Sequence, residues 1–246
     1  MDRIERYRTR FTLIELLAVV ALISLLMAIG VPAFSRMIRG SRVDECARNI
    51  KLGLEQAQMR AASERRYVAV IFPNGKDDDV DTTLRAYRLG GFRSAFVNKN
   101  GGNYDFVRWL DAEWRNAPNG AILTRIDTSE FTTSEGDVTG CTAKATDVLK
   151  GAKTDADERL KKVTGVKNDD GNAISVGENT SFVFTPYGGV VGGKKLYLLV
   201  SEAVVEGDNI KYPTAGTSGS NRTSNYKVLK INNLTGRVEF YDEDQE

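Results

Sequence analysis

From Leu16 to Ser35 the chain carries no ionisable side chain, and the residue just before this run is a carboxylate, Glu15. About 20 apolar residues wound as a helix span the roughly 30 Å hydrocarbon core of a bilayer, so a membrane-length helix is expected here. A secretory signal would have a shorter apolar core followed by a small-residue cleavage site. Here the apolar pattern continues through Met27, Ile29 and Val31 into further helical periodicity. A charge at the bilayer centre costs on the order of 3 kcal/mol, and less toward the edge. Glu15 is therefore tolerable near the start of the run, and it marks a site whose partner must be sought.

Composition bounds the rest. The 246 residues, 41% hydrophobic and 27% charged, give room for this anchor and one globular domain of ordinary size. Lys and Arg number 34 against 33 Asp and Glu, a net charge of +1, so no global pull toward nucleic acid or anionic lipid follows. The chain has no histidine, which removes the usual general base and the commonest zinc ligand. Cys46 and Cys141 either pair in an oxidising compartment or stay as two buried thiols.

Residues 1–10 read as a charged leader, with Arg3, Arg6, Arg8 and Arg10 against Asp2 and Glu5. Arg36, Arg39 and Arg42 flank the other end of the run almost as heavily, so charge alone does not decide its orientation. Pro32 can kink a membrane helix without ending it. Beyond it apolar positions recur at Val43, Cys46, Ala47, Ile50, Leu54, Ala57 and Ala61, a stripe at helical spacing that predicts domain core. One helix from Phe11 to about Glu64 would be roughly 80 Å long. Its transmembrane half is 11–35 and its amphipathic half is 36–66.

At Tyr67 the period changes. "YVAVIF" (67–72) predicts a strand ending at Pro73, and "NGKDDDVD" a polar turn that returns into "TLRAYRL" as a hairpin. Further strands are expected at "AILTRI" (121–126), "SFVFT" (181–185), "KLYLLVS" (195–201), and the pair "YKVLKI" and "RVEFY" joined by "NNLTG". The polar stretch at about 128–179 reads as a surface insertion with one short helical pattern, "DADERLKKV", starting near Asp155 and Glu158. The expected class is α+β: a long N-terminal helix packed on an antiparallel β-sheet domain that occupies 67–246.

"FTLIELLAVVALISLLMAIGVPAFSRM" (11–37) resembles the N-terminal segment of type IV pilins and type II secretion pseudopilins, including Glu15 in fifth place from Phe11 and the later Pro32. "ECARNIKLGLEQAQMRAASERRYVAVIF" (45–72) is similar to the helix-to-strand passage of the minor-pilin group of H-type pseudopilins and FimT-like proteins. "WRNAPNGAILTRI" (114–126), "FVFTPYGGV" and "NNLTGRVEF" also resemble that group, whereas the insertion has no counterpart in it.

The resemblance implies a bacterial inner-membrane protein with one span and an extracytoplasmic C-terminal domain. It implies cleavage by a prepilin peptidase between Arg10 and Phe11, N-methylation of Phe11, and assembly into a pseudopilus or pilus fibre, at or near its tip. The partners implied are other pilin or pseudopilin subunits, the peptidase, an inner-membrane assembly platform and membrane lipid. The family normally has glycine where this chain has Arg10.

Cleavage would leave a cationic amine at Phe11. Glu15 lies about 6 Å further along the axis, so a neighbouring subunit displaced by one turn would set its amine against this carboxylate. In a low dielectric the pair would fix subunit register. The plainer alternative is that Glu15 only complements the dipole of the helix N-terminus.

Two other readings stand beside the fibre subunit. One is a FimT-like minor pilin that captures DNA through Lys194, Lys195, Arg222, Lys227, Lys230 and Arg237, against which the acidic "YDEDQE" argues; nucleic acid is not the expected partner. The other is an unprocessed single-pass anchored domain. No metal site is expected: "KDDDVD" and "NDDGN" match no EF-hand loop and read as solvated turns. Trp109 and Trp114 read as packing residues. With no triad, no phosphate loop and no Cys/His cluster, the chain is not expected to be an enzyme or to hold a cofactor.

Overall fold

The computed structural model describes residues 13–74, 79–127, 131, 133–134, 137–138, 148, 160–177, 181–213 and 225–241, without the side chains of 29–39, 133–134 and 137–138. The chain divides into two compact units, Met1–Gly40 and Ser41–Glu246. Helix α1 (Leu13–Glu64) begins in the first and ends in the second.

In the second unit the helix ends by a specific device. Arg65 takes a left-handed conformation (φ 52°), and the Arg66 N–H donates back to the Ala61 carbonyl at 3.2 Å. This six-to-one bond caps the last turn. Strand β1 (Tyr67–Ile71) follows at once. Strand β2 (Arg93–Asn100) and β3 (Asn103–Trp109) form a hairpin around Gly101 and Gly102, where no atom lies within 4 Å of a would-be side chain.

The remaining strands are β4 (Ala121–Asp127), β5 (Thr133–Ser134), β6 (Asp137–Val138), β7 (Val163–Thr164), β8 (Ser181–Phe184), β9 (Leu196–Glu202), β10 (Val204–Glu206), β11 (Asn209–Lys211), β12 (Tyr226–Ile231) and β13 (Val238–Tyr241). One sheet has the order β7-β3-β2-β1-β8, antiparallel except for β3 with β7; the other runs β13-β12-β9-β4, antiparallel throughout. Helix on antiparallel sheet is the α+β class that the sequence leads one to expect.

Val43, Cys46, Ala47, Ile50, Leu54, Ala57 and Ala61 are all buried, so the whole predicted stripe is core. They share one cluster with Val68, Phe96 and Phe184 of the first sheet and Leu123, Leu198 and Leu229 of the second. Each fully buried aliphatic contributes roughly 1.5–3 kcal/mol, so packing rather than intrinsic propensity holds this half of the helix.

The opposite face of the first sheet is also covered. Ala69, Ile71, Ala95 and Val97 pack against Val80, Leu84, Val163, Val166 and Val176. Strand β1 is thus buried on both faces, which is why "VAVI" shows no polar alternation. The stretch expected as a surface insertion contributes part of this cover through its residues 163–176.

Two local expectations are corrected. "TLRAYRL" is not a strand: Thr82–Tyr87 form a 3-10 helix, and β1 pairs instead with β2 and β8. Asp81 decides this, because its carboxylate accepts from the Thr83 N–H (2.9 Å) and hydroxyl (2.7 Å), which caps a helical turn. In "DADERLKKV" residues 155–159 lie outside the described residues, and the rest is extended, with a bridge from Lys161 to Ser181 followed by β7. Leu160 packs into the helix-side core and Val163 into the core on the opposite face of the first sheet, a divergence that residues three apart on one helix face could not make.

Candidate assembly surface

The first unit supplies an apolar helix surface. Every side chain from Leu13 to Ala28 is exposed, from 79% at Leu13 to 47% at Ile23. Ser24, the hydroxyl within this stretch, donates to the Val20 carbonyl at 2.8 Å, so its polar group is satisfied inside the helix. Glu15 stands in the first turn, where the macrodipole favours a carboxylate. A contiguous apolar surface of this kind marks contact with lipid or with another chain.

Arg10 and Phe11 lie outside the described residues, as does the side chain of Pro32, which sits within α1. The membrane half expected at 11–35 is thus only partly described. Among the described residues no helix is long and apolar enough to cross a membrane.

In the second unit, the outer face of α1 exposes Leu52 (51%) and Met59 (59%), one heptad apart and opposite the buried stripe. Cys46 belongs to that stripe. It is a free, buried thiol that donates to the Ala121 carbonyl at 3.6 Å, and burial pushes its pKa up to about 12. Cys141 lies outside the described residues, so the pairing alternative has only one visible member.

The basic residues considered for DNA do not form one free patch. Lys227 pairs with Asp44 at 3.7 Å, and Arg237 with Glu239 at 2.8 Å. Lys230 lies over the rings of Tyr197 and Tyr241, at 5.7 and 5.2 Å. Lys194 and Lys195 are exposed in a turn, and Arg222 lies outside the described residues.

The acidic turns serve the fold. Asp81 caps the 3-10 helix, and its hydrogen bonds from Thr83 hold its carboxyl below the usual range. Asp169 of "NDDGN" pairs at 2.7 Å with the buried Arg93, whose hydrogen bond lowers the Asp169 pKa. The Arg93 guanidinium also donates to the Asp111 carbonyl and lies 4.4 Å from the Trp109 ring centre. Trp109 and Trp114 meet edge to face at 5.4 Å over the outer core, as packing residues. Among the described residues no group of acids and cysteines could hold a metal ion.

No protein-family model and no curated protein matches the sequence. Among solved structures, the crystal structure of the type IV minor pilin FimU from Pseudomonas aeruginosa strain PAO1 is similar at 11% identity, over 82% of this chain and 90% of that one, with a TM-score of 0.34. At that TM-score the likeness decides neither fold nor function.

Proposed function

We propose that this chain is a minor pilin or pseudopilin, a structural subunit held in the inner membrane by its N-terminal helix and drawn from there into a short fibre. The observation that carries the reading is the contrast along α1. Its stripe from Val43 to Ala61 is completed by the domain's own core, whereas Leu13–Ala28 expose apolar side chains all round behind the carboxylate of Glu15. Such a surface needs lipid while the subunit is stored and needs the same surface of neighbours once it is assembled. The sequence resemblance over 11–37 supports the same partners: other pilin-like subunits, a prepilin peptidase and an inner-membrane platform.

In this reading the Phe11 amine of one subunit, freed by cleavage after Arg10 and methylated, faces Glu15 of the next. The pair is strong because lipid and packed helices exclude water, and removing one partner would strand a charge at a cost of several kcal/mol. The subunit's role is structural, without catalysis. The first test is the intact mass of the protein purified from its own host. A chain beginning at N-methylated Phe11 is expected. A chain beginning at Met1 or Asp2 would overturn the reading and leave an anchored domain that never enters a fibre.

A further inference from the structure

Phe96 is fully buried, yet two guanidinium groups lie against its ring. The Arg66 and Arg108 guanidinium carbons are each 4.7 Å from the ring centre. Register explains the arrangement. Val68 and Arg108 are the cross-strand neighbours of Phe96, and Arg66 precedes Val68 by two, so all of these share the helix-facing side of the sheet. A bulge at Val107 turns the strand locally and brings Arg108, not Val107, opposite Phe96.

The next residues on the same face, about 7 Å along each strand, are Ser94 and Leu110. They line a groove of about 510 Å³ whose other wall is α1, with Met59 and Arg60 on the helix side and Asp111 and Arg115 at one end. The existing charges are largely engaged. Asp111 accepts from Arg115 at 3.1 Å and from the Ser94 N–H at 2.9 Å, and Arg60 meets Glu64 at 3.4 Å. Arg66 and Arg108 have no carboxylate partner among the described residues. A guanidinium lying over an aromatic ring uses none of its N–H donors on the ring and so can still pair with a carboxylate.

We infer that the surface formed by the Arg66–Phe96–Arg108 stack and the groove next to it along the sheet docks an extended, acidic segment of another polypeptide, with Asp or Glu carboxylates on Arg66 and Arg108 and the segment's backbone continuing into the groove along Met59 and Leu110. Charge complementarity selects the occupant, and one feature favours a peptide over nucleic acid. Bases bind single-strand grooves by stacking on open aromatic faces, but the Phe96 ring is already taken by the two guanidiniums. Every residue of this surface belongs to the unit Ser41–Glu246, and the inference stands or falls independently of fibre assembly.

The test uses the full chain in non-ionic detergent and a fluorescein-labelled peptide YDEDQE, copied from residues 241–246, read by anisotropy. Saturable binding is expected, weakening with added salt, absent for the peptide YNQNQQ, and reduced about tenfold in Arg66→Gln/Arg108→Gln. If that variant unfolds, Arg60→Glu reverses a charge on an exposed helix flank away from the core and is expected to weaken binding similarly. Equal binding by all variants, or by the amide peptide, would overturn the inference. So would single-stranded DNA that competes more strongly than the peptide and loses its affinity in the same variants.

Discussion

Cys46 illustrates what a single buried side chain does to the response of the fold to pH. Burial raises its thiol to about 12, with Glu45 adding to the effect, against about 8.5 for a solvated cysteine. The native state therefore holds its proton while the unfolded chain releases it. The contribution is intact below about pH 8.5 and is lost as pH rises toward about 12. Denaturant unfolding of wild type and Cys46→Ala should show wild type ahead at pH 8 and the gap narrowing by pH 10.5. A constant gap would mean that the thiol is solvated. The position of Cys46 in the core was legible from the stripe that begins at Val43, because a helix buries what recurs at three and four residues. The stacking of Arg66 and Arg108 on Phe96 was not legible. It depends on strand register and on a bulge, and neither leaves a local signal in the residues that meet.

Elements show the same division between local pattern and tertiary context. Gly53 sits in mid-helix, where alanine would ordinarily add about 1 kcal/mol of stability. Here a methyl group at that position would fall on the ring of Phe92, which is held against Phe72 at 5.5 Å. Gly53→Ala is therefore expected to lower stability by about 2 kcal/mol, and Phe92→Leu in the same chain to recover part of the loss. A stabilised single variant in thermal melts would contradict this packing. Strands with strong apolar runs, β1, β4, β8, β9, β12 and β13, were readable in advance. The β2–β3 hairpin is not among the expected strands, although Gly101 and Gly102 between "RSAFVNKN" and "NYDFVRW" are a recognised turn signal, because its strands mix polar and charged residues with few apolar ones. "TLRAYRL" departs from the expected strand because one side-chain cap outweighs strand propensity over so short a stretch.

At the scale of the molecule, the chain joins a unit that completes its own core to a helix whose apolar surface it leaves open. If fibre assembly is what closes that surface, Glu15→Gln should abolish incorporation into fibres, at least tenfold by immunoblot of the sheared fraction. The thermal unfolding of the domain should stay unchanged, because Glu15 lies outside the unit Ser41–Glu246. Wild-type incorporation of the variant would remove the register role and leave the dipole as the function of the carboxylate. The β2–β3 turn has a practical bearing on such work. With nothing packed on Gly101 or Gly102, a short epitope inserted between them would protrude without disturbing a buried contact. The protein thus offers its own mounting point for a gold or fluorescent label, by which individual subunits can be located within whatever structure they build.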